Sequence, residues 1–471
     1  MSNSTISTFV PDRAMRPIAA AWRGVRHDFW RRCHRQREFI RASERWDEAR
    51  LAEYQTAQMR ALVRHAFDNV PYYRRVFEEI DARPEDFATL EDFRSFPTID
   101  KKTLDENLPA LIATNYPESE RVYTTTGGST GIPVGFYYDK RSSLAIEQAF
   151  ITDQWSRVGY RDSDRTAVIR GTVVGKTRMW RRETRWNRLI VSSYHLAEEH
   201  IPLLVSRLRA LRPRFIQAYP SSAVLIGRYM LDHSMEPIPG VWAILCGSEN
   251  LYGWQREILE RAFGCRVYSW YGQSERVCLA GECEERHELH IYPQYGITEL
   301  LDRTGRAVEG PGTLGEIVAT GFHTWSCPLI RYRTMDLASV AAGRCPSCAR
   351  PYARLATVEG RVQEFIVSRS SRPVSMTAIN MHTSIFDNVA QFRFVQKVPG
   401  EVALKIKPKP TYDPQRDEAR IRAELAPKLG SDIVLTELVL VDDIPPTASG
   451  KQRFLEQELP VDALGLVQPV R

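Results

Sequence analysis

Apolar and polar positions change their rhythm several times along the chain. Over about residues 15–80 apolar residues recur at the helical period, as in Arg60-Ala61-Leu62-Val63-Arg64-His65-Ala66-Phe67. The pattern stops at Asn69-Val70-Pro71, where a proline breaks the helix. Between about 140 and 270, short apolar runs (Thr166–Arg170, Phe215–Tyr219, Val241–Leu245) alternate with helical stretches. Such alternation predicts a mostly parallel α/β sheet. From about 290 to 340 the strands are punctuated by Asp302-Arg303-Thr304-Gly305, Glu309-Gly310-Pro311-Gly312 and Leu314-Gly315-Glu316, an antiparallel, barrel-like signature. Past Gly360-Arg361 a small α+β pattern follows: a strand at Val402–Pro408, a helix over Asp413–Leu429 and a strand at Ile433–Val441. The expected fold class is α/β. A large N-terminal core over 1–360, with several subdomains, mixed sheets, helices and a small barrel-like section, opens on a largely helical lead-in at 1–120. A small, mobile α+β lid spans 361–471.

Composition sharpens this only locally. The 471 residues suit two or three domains. With 43% hydrophobic and 26% charged residues they describe an ordinary soluble protein. Residues 1–64 hold 13 Arg and no Lys against 7 Asp and Glu, which equals the whole chain's net +6. That segment reads either as a solvated amphipathic face or as a surface for peripheral contact with an acidic membrane or partner. No signal peptide is visible in Met1–Val10, and no stretch reaches the ~18–20 apolar residues of a membrane span. The expected location is therefore cytoplasmic, where the eight cysteines are thiols or metal ligands rather than a disulfide framework.

Candidate chemistry gathers in five places. Thr124-Thr125-Thr126-Gly127-Gly128-Ser129-Thr130-Gly131 offers backbone N–H groups and hydroxyls suited to phosphate oxygens, although the usual phosphate-loop motif is absent. Cys246-Gly247-Ser248-Glu249 follows an apolar run, at the strand-end turn where nucleotides bind in open α/β sheets. In Ser269-Trp270-Tyr271-Gly272-Gln273-Ser274-Glu275 an aromatic ring can stack on a base and Glu275 can hold a divalent cation against phosphate. Leu329–Asp336 supplies an aspartate able to accept both ribose hydroxyls, and Lys451, in Ser449-Gly450-Lys451, is a point charge for a developing anion.

In their order and spacing these segments resemble the acyl-adenylate-forming superfamily, and within it the phenylacetate–CoA ligase and CapK-like group. The resemblance runs over about residues 55–455. It begins at Asn69–Arg74 and Phe96-Pro97-Thr98-Ile99-Asp100-Lys101 and continues through the motifs above to Gly360-Arg361 and Ser449-Gly450-Lys451. It implies an ATP-dependent, AMP-forming ligase in which a carboxylic acid attacks the α-phosphorus of ATP. An acceptor (CoA, a carrier-protein thiol or an amine) then displaces AMP after the lid rotates. By position, Thr126, Gly127, Gly128, Ser129, Thr130 and Gly131 would hold the β- and γ-phosphates. Gly247, Ser248, Glu249, Tyr271, Gly272 and Gln273 would line the adenine, and Glu275 would bind Mg²⁺. Asp336 would bind the ribose, with Arg361 beside it at the hinge, and Lys451 would bridge carboxylate and α-phosphate.

Cys345-Pro346-Ser347-Cys348, with Cys283 and His290 upstream, makes a candidate structural Zn²⁺ site of four Cys/His ligands. His287 competes with His290, and Cys278 is expected beside the active-site turn. Relatives that pair Cys-x₆-His with a cysteine pair favour His290. Three departures stand out: Ile132 and Val134 where relatives often carry a lysine, Gln363 at the hinge, and no glycine in Ser368–Thr377, where phenylacetate–CoA ligases turn around pantetheine. The last makes an amine or carrier-protein thiol a rival to CoA. Trp180, Trp186, Tyr194, His195, Tyr219 and Trp270 suggest an aromatic or flat acid, and the arginines of 178–188 a second carboxylate or plain solvent. Competing functions are a non-catalytic binding or scaffold protein on a decayed adenylating fold, and a zinc-ribbon nucleic-acid binder. The second lacks the expected basic–aromatic interleaving around the knuckle, so no nucleic-acid partner is expected.

Overall fold

The computed structural model describes residues 21–125, 134–172, 174, 178–196, 198–361, 365–370, 373–376, 388–447 and 453–459, with the backbone alone at 21–27, 185, 361, 373 and 375. The candidates Thr126, Gly127, Gly128, Ser129, Thr130, Gly131 and Lys451, and the hinge residue Gln363, lie outside the described residues.

The helical lead-in is present as Ala21–Ser43, Glu48–Asn69 and Pro71–Glu79. Asp47 caps the second helix by accepting from Arg50 N at 2.8 Å. Pro71, lacking an N–H, ends that helix and takes the first turn of the next, where no partner is needed. Much of the segment's positive charge is used internally. Arg31 and Arg32 pair with Asp28, Arg37 with Asp162 and Arg64 with Glu85. Among the described residues no helix is long and apolar enough to cross a membrane.

The centre is one sheet of 12 strands. Thr166–Arg170, Arg188–Ser192, Phe215–Ala218, Ala243–Cys246 and the first half of Arg266–Gly272 are parallel neighbours. All but the last are fully buried along their length. That explains their unbroken apolar runs, since helices cover both faces. The expected antiparallel section is Leu279–Gly281, Leu289–Ile291, Gly296–Leu301, Leu314–Gly321, Tyr332–Val340 and Arg354–Arg361. Strand Arg266–Gly272 joins the two parts: residues 266–269 pair in parallel with 243–246, and 270–272 antiparallel with 279–281.

The C-terminal α+β unit is a four-stranded sheet, Val389–Val398, Glu401–Pro408, Val434–Leu440 and Leu455–Gln457, with helix Pro414–Leu429 capped by Asp413. Its core residues Phe392, Phe394, Leu404, Ile406 and Ile421 join the buried cluster around helices Pro220–Asp232 and Gly253–Phe263. At that junction the Phe454 ring meets Tyr252 and Trp254 edge-on, at 5.7 and 5.5 Å between centroids.

Candidate functional site

The nucleotide candidates converge where the parallel and antiparallel halves meet. Strand Ala243–Cys246 ends at the carboxyl edge of the parallel strands and releases Gly247-Ser248-Glu249 into a turn. That edge is where open α/β sheets bind ligands. Ser248 takes φ 69°, a left-handed conformation unusual for a residue with a Cβ. A Cβ on Gly247 would stand 2.4 Å from the Trp270 indole nitrogen, so only glycine fits there. The Glu249 carboxylate accepts from Ser221 N and Oγ, both at 3.0 Å, at the start of helix Pro220–Asp232.

On the adjacent strand the Tyr271 hydroxyl donates to Asp336 Oδ2 at 2.7 Å, and Gln273 Nε2 donates to the same phenol at 3.2 Å. Burial, and then the Asp336 charge, raise the Tyr271 phenol well above its ordinary pKa, so it stays a donor. Glu275 is buried, and its Oε1 accepts from Tyr332 OH at 3.0 Å. Tyr138 OH donates to the Ser274 carbonyl, which ties the strand pair Arg121–Thr125 and Gly135–Asp139, flanking residues 126–134, to Glu275's neighbour. Arg276 then stacks over the Tyr138 ring at 3.8 Å.

The Ile330–Asp336 stretch is held in an unusual shape, with Arg331 at φ 47° and Met335 at φ 64°. Arg331 makes a bidentate pair with Glu299, both contacts 2.9 Å, and reaches the Arg94 and Phe96 carbonyls. Arg333 N donates to Ile99 O at 2.8 Å, so the Phe96–Lys101 connector is docked on this stretch. In the sheet Arg361 stands directly opposite Asp336.

Cys283, His290, Cys345 and Cys348 come together from two hairpins, their ligand atoms all within 4.8 Å of one another. Cys283 Sγ lies 4.0 Å from Cys345 Sγ, and Cys348 Sγ lies 3.3 Å from His290 Nε2. A tetrahedral zinc with Zn–S near 2.3 Å needs sulfurs about 3.8 Å apart, so this donor set fits. His290 Nδ1 faces the Glu288 carbonyl at 3.2 Å, leaving Nε2 toward the cluster. His287 turns instead to Glu282 at 3.5 Å, with its side chain 55% exposed. Cys278 lies beside the Gln273 turn, its N–H donating to Gln273 Oε1 at 3.3 Å.

The candidate aromatics scatter. Trp186 packs on Trp30, Tyr194 is 38% exposed and close enough to Tyr219 to feel its charge, His195 bonds Ser192, and Trp270 fills the space beside Gly247. Of the arginines in 178–188, Arg181 pairs with Glu183. Arg170, Tyr138, Tyr332 and Ser221 carry site contacts that the sequence reading passed over. Arg170 ends an apolar run at the ligand edge, a visible signal in retrospect; the other three contacts depend on partners remote in sequence.

Residues 366–458 match the CapK C-terminal domain family. Protein CapK of Staphylococcus aureus is 25% identical over 414 residues, 86% of this chain and 88% of that protein. The phenylacetate-coenzyme A ligase of Pseudomonas putida is 29% identical over 336 residues, 68% and 72% of the two chains. These similarities bear out the resemblance to the acyl-adenylate-forming superfamily, in its phenylacetate–CoA ligase and CapK-like group. The fold also matches the crystal structure of 2-hydroxyisobutyryl-CoA ligase in complex with 2-HIB-AMP. The TM-score is 0.71 at 19% identity, covering 96% of this chain and 95% of that one.

Proposed function

We propose that this protein is an ATP-dependent, AMP-forming ligase that activates a carboxylic acid as its acyl-adenylate and passes the acyl group to an acceptor, CoA foremost. The observation that carries this is the joining of separate motifs into one site: Tyr271 on Asp336, Tyr332 on Glu275, and the Gly247–Glu249 turn alongside. Phenylacetate-coenzyme A ligases among the relatives support CoA as acceptor. An amine or carrier-protein thiol is the second reading. It is favoured by the glycine-free turn after Val367, where Ser370 is fixed to Asp432 by its N–H at 3.0 Å.

In the first step a substrate carboxylate oxygen bonds to the α-phosphorus and the bond to pyrophosphate breaks. In the second the acceptor attacks the acyl carbon, loses its proton and releases AMP. Asp336 would accept the ribose hydroxyls, with Tyr271 orienting it, while Gly247, Ser248, Glu249, Gly272 and Gln273 wall the base. Thr126–Gly131 would wrap the leaving pyrophosphate, and Lys451 would meet the charge between carboxylate and α-phosphate. A lid over 361–471 would pivot at Arg361, opposite Asp336.

Glu275 suits Mg²⁺: it is a buried carboxylate beside the root of the phosphate-loop strands, and Mg²⁺ commonly takes one or two carboxylates plus phosphate oxygens. Bound there, Mg²⁺ would offset triphosphate charge. Cys283, His290, Cys345 and Cys348 would hold a structural Zn²⁺ that staples the two hairpins. The test is pyrophosphate release from ATP, Mg²⁺ and a panel of acids with hydroxylamine as trap. Release with some acid, largely lost in Lys451→Ala at unchanged ATP binding, supports the proposal. No release with any acid, despite nucleotide-dependent thermal stabilisation, would instead mean a binding protein on a decayed fold.

A further inference from the structure

The amino ends of the parallel strands lie at the sheet edge opposite the nucleotide turns, and they present side chains with no part in that site. Strands Arg188–Ser192, Thr166–Arg170, Phe215–Ala218 and Ala243–Cys246 start in register. Thr166 stands beside both Arg188 and Phe215, and Phe215 beside Ala243. The residues just before these starts are Asn187, Arg165, Arg214 and Trp242, so they form a row in that order, one strand spacing of ~4.8 Å apart. Backbone bonds carry the row. Trp242 N donates to Arg214 O at 2.7 Å, Arg214 N to Arg165 O at 2.8 Å, and Thr166 N to Asn187 O at 3.2 Å.

Trp242 ends the row and is 61% exposed, more open than any other large apolar side chain described. A single exposed apolar residue is ordinary; its setting here is not. The Arg214 guanidinium lies 5.8 Å from the Trp242 ring centre. Arg212 packs beside Gly240, two residues before the tryptophan, and Arg161 and Arg212 are both exposed. The two acids of these loops are already engaged. Asp162 pairs with Arg37 of helix Ala21–Ser43 at 3.2 Å. Asp164, its side chain 12% exposed, accepts from Arg161 N at 2.8 Å and lies 3.9 Å from Arg214. Arg37, Arg161, Arg165, Arg212 and Arg214 against Asp162 and Asp164 leave a surplus of three positive charges around the indole. Arg209 and Glu236, at the neighbouring helix ends, offset each other.

This chemistry matches an anionic lipid surface. Indole rings settle at headgroup level, where one side is apolar and the other wet, and guanidinium groups bind phosphate oxygens. A straight row along one sheet edge meets a plane more evenly than it meets the relief of a folded partner. At the far end of the row Trp186 packs on Trp30, 6.0 Å between centroids, so the arginine-rich first helix continues the same surface.

We propose that the amino edge of the parallel sheet, from Trp242 through Arg214 and Arg165 to the first helix, docks on anionic lipid headgroups, with Trp242 seated among them. The nucleotide turns then face the aqueous side, about 15 Å away for strands of four or five residues. The inference does not depend on the ligase reading. The test is co-sedimentation of the full chain with vesicles of phosphatidylcholine alone and of phosphatidylcholine mixed equally with phosphatidylglycerol. Three net charges set the expected preference for the anionic vesicles at about a hundredfold. Raising salt from about 0.1 to about 1 M should remove most of it. Trp242→Glu, and the pair Arg165→Gln with Arg214→Gln, should each weaken binding to anionic vesicles about thirtyfold. Circular dichroism and Tm check the fold, and Arg161→Gln with Arg212→Gln, both at exposed side chains, repeats the charge test if the first pair does not fold. Equal binding to both vesicles, or binding to neither, would overturn the inference. So would anionic binding that survives Trp242→Glu and the arginine pairs, because the contact would then lie on another surface. Retention on heparin without vesicle binding would overturn it in favour of a soluble polyanionic partner. Pyrophosphate release tests the ligase reading separately and should be unchanged in Trp242→Glu.

Discussion

Replacing Tyr271 with phenylalanine removes one hydroxyl and with it the 2.7 Å hydrogen bond to Asp336 Oδ2. A hydrogen bond to a charged group contributes ~1.5–3 kcal/mol net, and more is lost when the abandoned partner stays buried. Asp336 is 8% exposed, while Tyr271 and Gln273 are partly open to solvent, so the lower half of that range applies, ~1.5–2 kcal/mol. That corresponds to about 10–30-fold. If Asp336 holds the ribose, the loss falls on the nucleotide: KM for ATP rises by that factor while KM for the acid stays put. Pyrophosphate release measured over ATP at saturating acid, then over acid at saturating ATP, separates the two. Thermal unfolding controls for fold; a loss of this size lowers Tm by only several degrees in a domain of this length. A variant with unchanged KM for ATP, or one whose defect lies in KM for the acid, would refute the placement of Tyr271 and Asp336 at the ribose.

Other outcomes follow from the same geometry. Arg331→Met breaks a buried bidentate pair with Glu299 and frees the connector at Phe96, so stability should fall by ~3–5 kcal/mol in chemical denaturation. Purified protein should contain one zinc per chain by elemental analysis, and Cys283→Ser or Cys345→Ser should lose it and lower Tm, whereas His287→Ala should keep it. Burial lowers the His323 pKa from 6.5 to about 4, with its ring against the Gln294 carbonyl at 3.0 Å. The unfolded chain therefore takes up this proton first, and stability from His323 is present above pH 6.5 and lost as pH falls toward 4, ~3 kcal/mol in all. Denaturation curves across that window should show the slope, and His323→Gln should flatten it.

What the sequence disclosed about this fold depended on how local the cause was. Pro71 ends one helix and starts another through its own missing N–H, so the break was visible from a few residues. The parallel strands were visible because burial on both faces demands unbroken apolar runs, as in Ala243–Cys246. The shared strand Arg266–Gly272 was less visible, because its switch from parallel to antiparallel pairing is imposed by neighbours more than by its own residues. The candidate metal ligands were legible by spacing, with His290 favoured over His287, and the strand Leu289–Ile291 shows why, since it turns His290 toward the cysteines. Arg170 shows the opposite limit. As the end of an apolar run it reads as a strand terminus, and its place over the Tyr219 ring appears only once the neighbouring strand Phe215–Ala218 is beside it.

The central claim is that a carboxylate oxygen bonds to the α-phosphorus of ATP at this site. Feeding the enzyme an acid labelled with ¹⁸O in its carboxylate and analysing the nucleotide by mass spectrometry tests that bond directly. The account predicts AMP carrying one ¹⁸O and pyrophosphate carrying none. Unlabelled AMP, or ADP with the label in inorganic phosphate, would contradict it.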